Sequence, residues 1–322
     1  MIAHTSDGIP AFTSPYVKAD GLWVITTYFN PCRYKSRRRN FDVFANTMRQ
    51  SGIPLIVVEC AFGDDNFELP NSLDVIKVRA SSLLWQKERL LNLAVSWCPP
   101  EAKYIAWIDC DIIFKNSNWA VDTAALLEEK YMIVQLFETC TRIAPASANF
   151  HQTHVPSYGA IAPHDHSLIT CGHFEHHGHT GYGWAMRREV FDTVGLYEYA
   201  VCGTGDHFIA HAAFGLYGPC IDMAMKGNAR GRRHLLKWSE KFHKIVDGRL
   251  SATPGDILHL PHGSLVNRKY MERSHIINEL GFDPYQDVTA PPGRPLEWNP
   301  AMVNPKLKEY FHEYFLGRRE DD

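Results

Sequence analysis

The sequence predicts an α/β protein with a mainly parallel central sheet covered by helices on both faces. Three observations carry this. Short β-branched runs alternate with stretches of helical spacing. The runs are almost continuously apolar, as in strands buried on both faces. Polar and acidic residues gather just past the ends of those runs, where sheets of this kind bind ligands.

Leu22–Tyr28 reads as the first strand, ended by the turn signal Asn30-Pro31. Residues 37–50 are expected to be helical, with Phe41, Phe44, Ala45 and Met48 on one face and Gly52 as the stop. Residues 53–60 and 74–78 follow as strands, 84–97 as a helix closed by Pro99-Pro100, and 103–108 as a fourth strand. A helix over 119–130 and a strand over 131–137 complete the pattern. Residues 138–180, rich in His, Thr, Ser and Gly, show no period and are expected to form a lid or substrate loop. Helices are expected at 187–194 and 206–214 and a short strand at 257–260. Residues 1–20 read as a polar lead-in.

The 322 residues are long enough to bury a large core without disulfides or a structural metal. Lys+Arg is 33 and Asp+Glu is 36, so 33 − 36 gives −3, which argues against general nucleic-acid binding. With 45% hydrophobic and 21% charged residues the chain is not a disordered one. No apolar run is long enough for a membrane helix. The first 20 residues carry no export signal, and the eight cysteines form no CxxC pair. These features predict reduced thiols and a cytoplasmic location.

The sharpest chemical signal is Asp109-Cys110-Asp111, directly after the apolar run Tyr104–Ile108. Two carboxylates at a strand exit can converge on one hard cation, Mn²⁺ or Mg²⁺, which in turn neutralises a diphosphate. The plainer alternative is a polar loop exit in which Asp109 caps a turn.

This run resembles the DxD element of GT-A glycosyltransferases, close to family 2 and the galactosyltransferase type. Other segments follow in the family's order. Trp85 to Asn92 is similar to the helix start beside the nucleotide-sugar. Gly181-Tyr182-Gly183-Trp184 and the residues to Phe191 resemble the acceptor-side segment. Gly203-Thr204-Gly205-Asp206 resembles the motif that supplies the acid of inverting enzymes, although the usual acidic pair reads Gly205-Asp206 here. His259-Leu260-Pro261-His262-Gly263 resembles the late histidine of the metal site.

The resemblance covers about residues 22 to 275. It implies one GT-A catalytic domain over 21–275, with a nucleotide-sugar half at 21–137 and an acceptor half at 138–275, followed by a tail at 276–322. It further implies a metal-dependent, inverting transferase that takes a UDP-sugar as donor and a glycan or other hydroxyl as acceptor. Asp109, Asp111 and His262 would hold the metal, and Asp206 would be the base.

The residues themselves leave alternatives. Asp206 suits a helix N-terminus and is equally an N-cap. Gly181, Tyr182, Gly183 and Trp184 offer flat faces and close backbone approach to a sugar, or simply a core Trp and a turn. His259 competes with His262 as a metal ligand. His164, His166, His173, His176, His177 and His179 lack partnered cysteines and an i, i+4 frame, so a His-rich loop is expected rather than zinc. Thr26, Thr27 and Tyr28 end the first strand and can meet a nucleotide, as can Glu59. Lys87 can meet a phosphate or be a surface lysine. Arg33, Lys35 and Arg37 to Arg39 read as a solvated helix start.

The basic stretch 226–244 keeps a polyanion, including DNA, in view. A nucleotidyltransferase is the rival enzyme, disfavoured because no Gly-rich loop with a lysine follows the first strand. A non-catalytic carbohydrate- or nucleic-acid-binding protein is the rival of another class.

Overall fold

A computed structural model describes residues 3–4, 10–11, 15–143, 153–170, 174–270 and 272–322. Its centre is a seven-stranded sheet. The strands in chain order are β1 (Leu22–Tyr28), β2 (Leu55–Phe62), β3 (Val75–Ala80), β4 (Tyr104–Ile108), β5 (Ile133–Gln135), β6 (Gly183–Arg187) and β7 (Leu250–Ala252). They lie in the order β3-β2-β1-β4-β6-β5-β7. All pairings are parallel except those of β6, which runs antiparallel to β4 and β5. The predicted α/β class and mainly parallel sheet are what is observed.

Alternation along the strands sends side chains to two cores. Val24 and Val57 pack under α1 (Lys35–Gln50) and α3 (Trp119–Glu129), with Phe41, Phe44 and Trp119. Ile25, Ile56 and Val58 pack on the other face under α2 (Lys87–Val95) and α4 (Gly205–Ala213), with Leu90, Leu91 and Phe208.

Several expected boundaries move. The second strand runs two residues beyond Cys60, and the strand expected over 131–137 shortens to Ile133–Gln135. Gly183 and Trp184, expected in a loop, belong to β6. The aperiodic stretch holds the strands Thr139–Arg142 and Thr153–Pro156 and three four-residue helices. The basic stretch is the amphipathic helix Ala229–Val246, whose Arg230 and Arg232 pair with Asp283 and Asp222. That accounts for those charges as helix surface, and nothing supports DNA as a partner. Among the described residues, no helix is long and apolar enough to cross a membrane. Seven cysteines are free, and Cys171 lies outside the described residues, as does His173.

A second, four-stranded sheet carries the site. It aligns Thr153–Pro156, Thr139–Arg142, Asp256–His259 and Ile112–Phe114. Its register sets His259 opposite Ile112, next to Asp111.

The chain end closes over this region. Asp321 accepts hydrogen bonds from the Lys35 and Ser36 amides at the start of α1. The buried Glu320 carboxylate meets Arg318 at 2.6 Å and Arg37 and Arg268 at 3.3 Å. Burial raises the cost of its charge, yet the arginines win and hold its pKa down at about 2, against an ordinary 4.5. Its folded value lies below its unfolded one, so its contribution is complete above pH 4.5 and is lost as pH falls toward 2. Glu320→Ala leaves three arginines without their counter-ion. It should cost about 3–5 kcal/mol in denaturant unfolding at pH 7, and the difference from wild type should shrink below pH 4.

Candidate active site

The turn after β4 is fixed at three points. The Thr26 hydroxyl donates to the Ile108 carbonyl at 2.6 Å. The Asp109 amide donates to the Tyr182 carbonyl, and the Leu260 amide to the Asp111 carbonyl, each at 2.7 Å. Thr26 is thus a buried support of the turn.

Asp111 faces two histidines. Its Oδ2 lies 2.8 Å from His262 Nε2 and 3.8 Å from His259 Nε2, and the two ring nitrogens are 3.0 Å apart. The other oxygen, Oδ1, is buried without a hydrogen-bond partner among the described residues. Burial lowers the His259 pKa to about 4, against the pull of Asp111, so its imidazole is neutral. Arg268 contacts Nδ1 and the carbonyl of His262 and links it to Glu320. The structure therefore groups Asp111, His259 and His262. Two of the three residues expected to hold the metal, Asp111 and His262, are in this group with His259, and Asp109 lies outside it.

Asp109 turns toward α2. Lys87 Nζ lies 2.7 Å from Asp109 Oδ1 and 2.7 Å from Asp206 Oδ2. Burial disfavours the Lys87 charge, but Asp109 and Asp206 outweigh it and hold the ammonium in place. Lys87 is buried between two carboxylates, so it is not the surface lysine that was the alternative to a phosphate contact. Burial pushes Asp109 up to about 6 while Lys87 pulls it down.

Asp206 stands in the first turn of α4, behind Thr204, whose φ is +81°. Its side chain makes no cap, since the α4 N-cap is Thr204. A Cβ at Gly181 would sit 2.8 Å from His179 Cε1 and 3.9 Å from Asp206 Oδ2, so this glycine lets the loop pass beside the carboxylate. Tyr182, also with φ +81°, stacks on His179 at 4.3 Å, packs on His259 at 4.9 Å, and accepts a hydrogen bond from Arg142. A bulky residue at such a φ is strained and needs its surroundings to hold it.

Sequence reasoning missed Glu88. A Cβ at Gly205 would overlap its carboxyl, which fills the space a side chain at 205 would take. A carboxyl from α2 thus occupies the place beside Asp206 that a side chain at 205 would take. Burial pushes it up to about 8, against Lys87.

The remaining expected residues are placed as follows. Trp184 is fully buried, with its indole N–H on the Thr180 carbonyl, so it is core and offers no sugar platform. Gly183 opens β6 opposite Ile108. Tyr28 donates to Glu68, and Glu59 accepts from the Glu68 and Leu69 amides. Both line a narrow cleft at the ends of β1 and β2, and Glu59 Oε2 is buried without a hydrogen-bond partner among the described residues. Thr27 is half-buried.

No family model matches this chain, and no curated protein matches it. Solved structures with a similar course include the catalytic domain of Drosophila β1,4-galactosyltransferase 7 in complex with xylobiose. It is 12% identical, over 73% of this chain and 64% of that one, with a TM-score of 0.33. Another is Mycobacterium tuberculosis glucosyl-3-phosphoglycerate synthase in complex with Mn²⁺, UDP-glucose and phosphoglyceric acid, at 13% identity over 81% and 79% of the chains and a TM-score of 0.41. A third is mannosyl-3-phosphoglycerate synthase from Rubrobacter xylanophilus, at 13% over 80% and 73%, TM-score 0.39. The matched region thus spans less than two thirds of the galactosyltransferase chain.

Two outcomes test this geometry. Trp184→Ala should cost about 3–5 kcal/mol in denaturant unfolding, the loss typical of an excised core indole. A sugar platform would instead lose activity at unchanged stability. Glu88 is protonated more readily folded than unfolded, so stability is full below pH 4.5 and falls as pH rises through about 8. Glu88→Gln removes that fall. Its Tm advantage over wild type should grow from pH 5 to pH 9 by about 1–2 °C per kcal/mol lost by the wild type.

Proposed function

We propose that this chain is a metal-dependent, inverting glycosyltransferase of the GT-A type, moving a sugar from a nucleotide-sugar to an acceptor hydroxyl. The observation that carries the reading is the pairing of two neighbouring sites across one turn. One is a carboxylate–imidazole group suited to a cation, and the other is a lysine-held carboxylate suited to a proton.

Asp111, His259 and His262 would hold the metal. The buried, unpartnered Asp111 Oδ1 and the neutral His259 fit that role. Two imidazoles with one carboxylate favour Mn²⁺ over Mg²⁺, which prefers an all-oxygen shell. When bound, such an ion supplies Lewis acidity toward a diphosphate leaving group. Glu59, with Tyr28 and Thr27 at the adjoining strand ends, offers an acceptor for the hydroxyl or N–H donors of the nucleoside. A UDP-sugar is the favoured donor.

Asp206 would take the proton of the acceptor hydroxyl, which is too weak a nucleophile at neutral pH by itself. Lys87 holds that carboxylate in place, 2.7 Å from its Oδ2. Asp109 shares the same ammonium and so orients Lys87. Gly181 and Tyr182 shape the approach to Asp206, where a glycan or another hydroxyl acceptor would lie. Residues 21–137 would form the donor half and 138–275 the acceptor half, with His259 and His262 of the latter reaching the donor's metal.

A thermal-shift panel of UDP-, GDP- and TDP-sugars with and without Mn²⁺ tests this. Wild type should show a Mn²⁺-dependent shift and Mn²⁺-dependent donor hydrolysis. Asp111→Ala should abolish the shift, and an unchanged shift would put the cation elsewhere. Asp206→Asn should keep the shift and lower transfer about 10²–10⁴-fold. Binding without any hydrolysis would make the chain a binding protein instead.

A further inference from the structure

We propose that His177, His207 and His211 form a second metal site, for a zinc-class divalent ion, that ties the 177–181 turn to α4. The three side chains are buried, and their ligand nitrogens all lie within 4.8 Å of one another. His207 and His211 stand four residues apart on α4, so they project from one face of it. His177 ends the short helix Phe174–His177 and reaches them from across the turn. Their ring centroids are 4.3 Å (207–211), 5.2 Å (177–211) and 5.7 Å (177–207) apart.

Donor chemistry selects the ion. Three imidazoles with no carboxylate in the group suit zinc or another borderline-soft ion and not Mg²⁺ or Ca²⁺. All three rings are buried, with one ligand nitrogen each within reach of a single ion. The His177 Nδ1–H donates to the Gly178 carbonyl at 2.9 Å, which puts the lone pair of the neutral ring on Nε2. A backbone carbonyl on the non-ligating nitrogen is the usual orienting partner of a metal-bound histidine.

Two further features converge on the cluster. Tyr158 packs its ring on His177 at 5.5 Å and His211 at 5.6 Å, and its buried hydroxyl has no hydrogen-bond partner among the described residues. A metal-bound water would give that hydroxyl a partner and complete a four-coordinate shell. Gly178 has φ +80°, and a Cβ there would collide with the Ser157 carbonyl at 2.5 Å. Only glycine makes the turn that brings His177 inward. Nitrogens on a tetrahedral ion lie about 3.3 Å apart, given metal–nitrogen bonds of ~2.0–2.1 Å, so small side-chain rotations close the shell.

The site would act at a distance from the chemistry. His207 follows Asp206 directly, and the turn from His177 leads through His179 to Gly181, which passes beside the Asp206 carboxylate. One ion would fix both walls of that cleft. The three histidines would bind it even if the transferase reading fails.

The test uses the full chain carrying Asp111→Ala, which disables the other candidate site. After loading with zinc and dialysis against metal-free buffer, bound metal is counted by emission spectrometry. Co²⁺ is then titrated into the apo protein. We expect about one retained zinc and the visible d–d bands of four-coordinate cobalt. Adding His211→Gln, or separately His177→Gln, should remove both at unchanged far-UV circular dichroism. If His211→Gln fails to fold, the turn variant His177→Gln carries the comparison. No retained zinc and no cobalt bands in the parent, or undiminished metal in the variants, overturns the site.

Discussion

Everything in the site depends on how the chain leaves β4. If the strand continued, Asp109 and Asp111 would share one face of the sheet. A turn begins at Cys110 instead and sends the two carboxylates apart. One meets Lys87 and, through it, Asp206, while the other meets His259 and His262. The turn holds this shape because Thr26, Tyr182 and Leu260 each hydrogen-bond it from a different segment. The antiparallel placement of β6 is what brings Tyr182 there, since its register sets Gly183 against Ile108.

Much of this was legible in the chain. The apolar runs named the parallel strands, and a DxD just beyond one of them named the place. Asp111 with His262 was expected and is a 2.8 Å pair. What the sequence could not settle was which long-range partner each side chain finds. Lys87 and Asp206 are 119 positions apart, and nothing local distinguishes a salt-bridged lysine from a phosphate ligand. His259 and His262 competed as ligands because spacing alone cannot show that both reach Asp111.

Where packing brings distant segments together, the local sequence carries little signal. Gly183 and Trp184 follow a glycine and an aromatic at positive φ, so the segment has turn chemistry although a buried strand begins within it. The histidines of the aperiodic loop were weighed only against each other. The i, i+4 frame they lacked stands on α4, at His207 and His211, and packing supplies it from another element. Glu88 left no signal because its meaning depends on Gly205. The absent side chain at one position is what makes room for the carboxyl of another.

The charge balance around Lys87 then explains why Glu88 can be tolerated there. Three ionised carboxylates around one buried ammonium would leave two negative charges in a low-dielectric interior, at a cost of several kcal/mol per ion. Burial raises Glu88 to about 8, so at neutral pH the group holds one cation against Asp109 and Asp206, with Glu88 uncharged. The neutral carboxyl packs over the α4 N-terminus without competing for Lys87. The ammonium therefore stays shared between the turn after β4 and the first turn of α4. That sharing mechanically couples Asp109, two residues from Asp111, to the residue that would receive the proton. A shift of either carboxylate must drag Lys87, and with it the other.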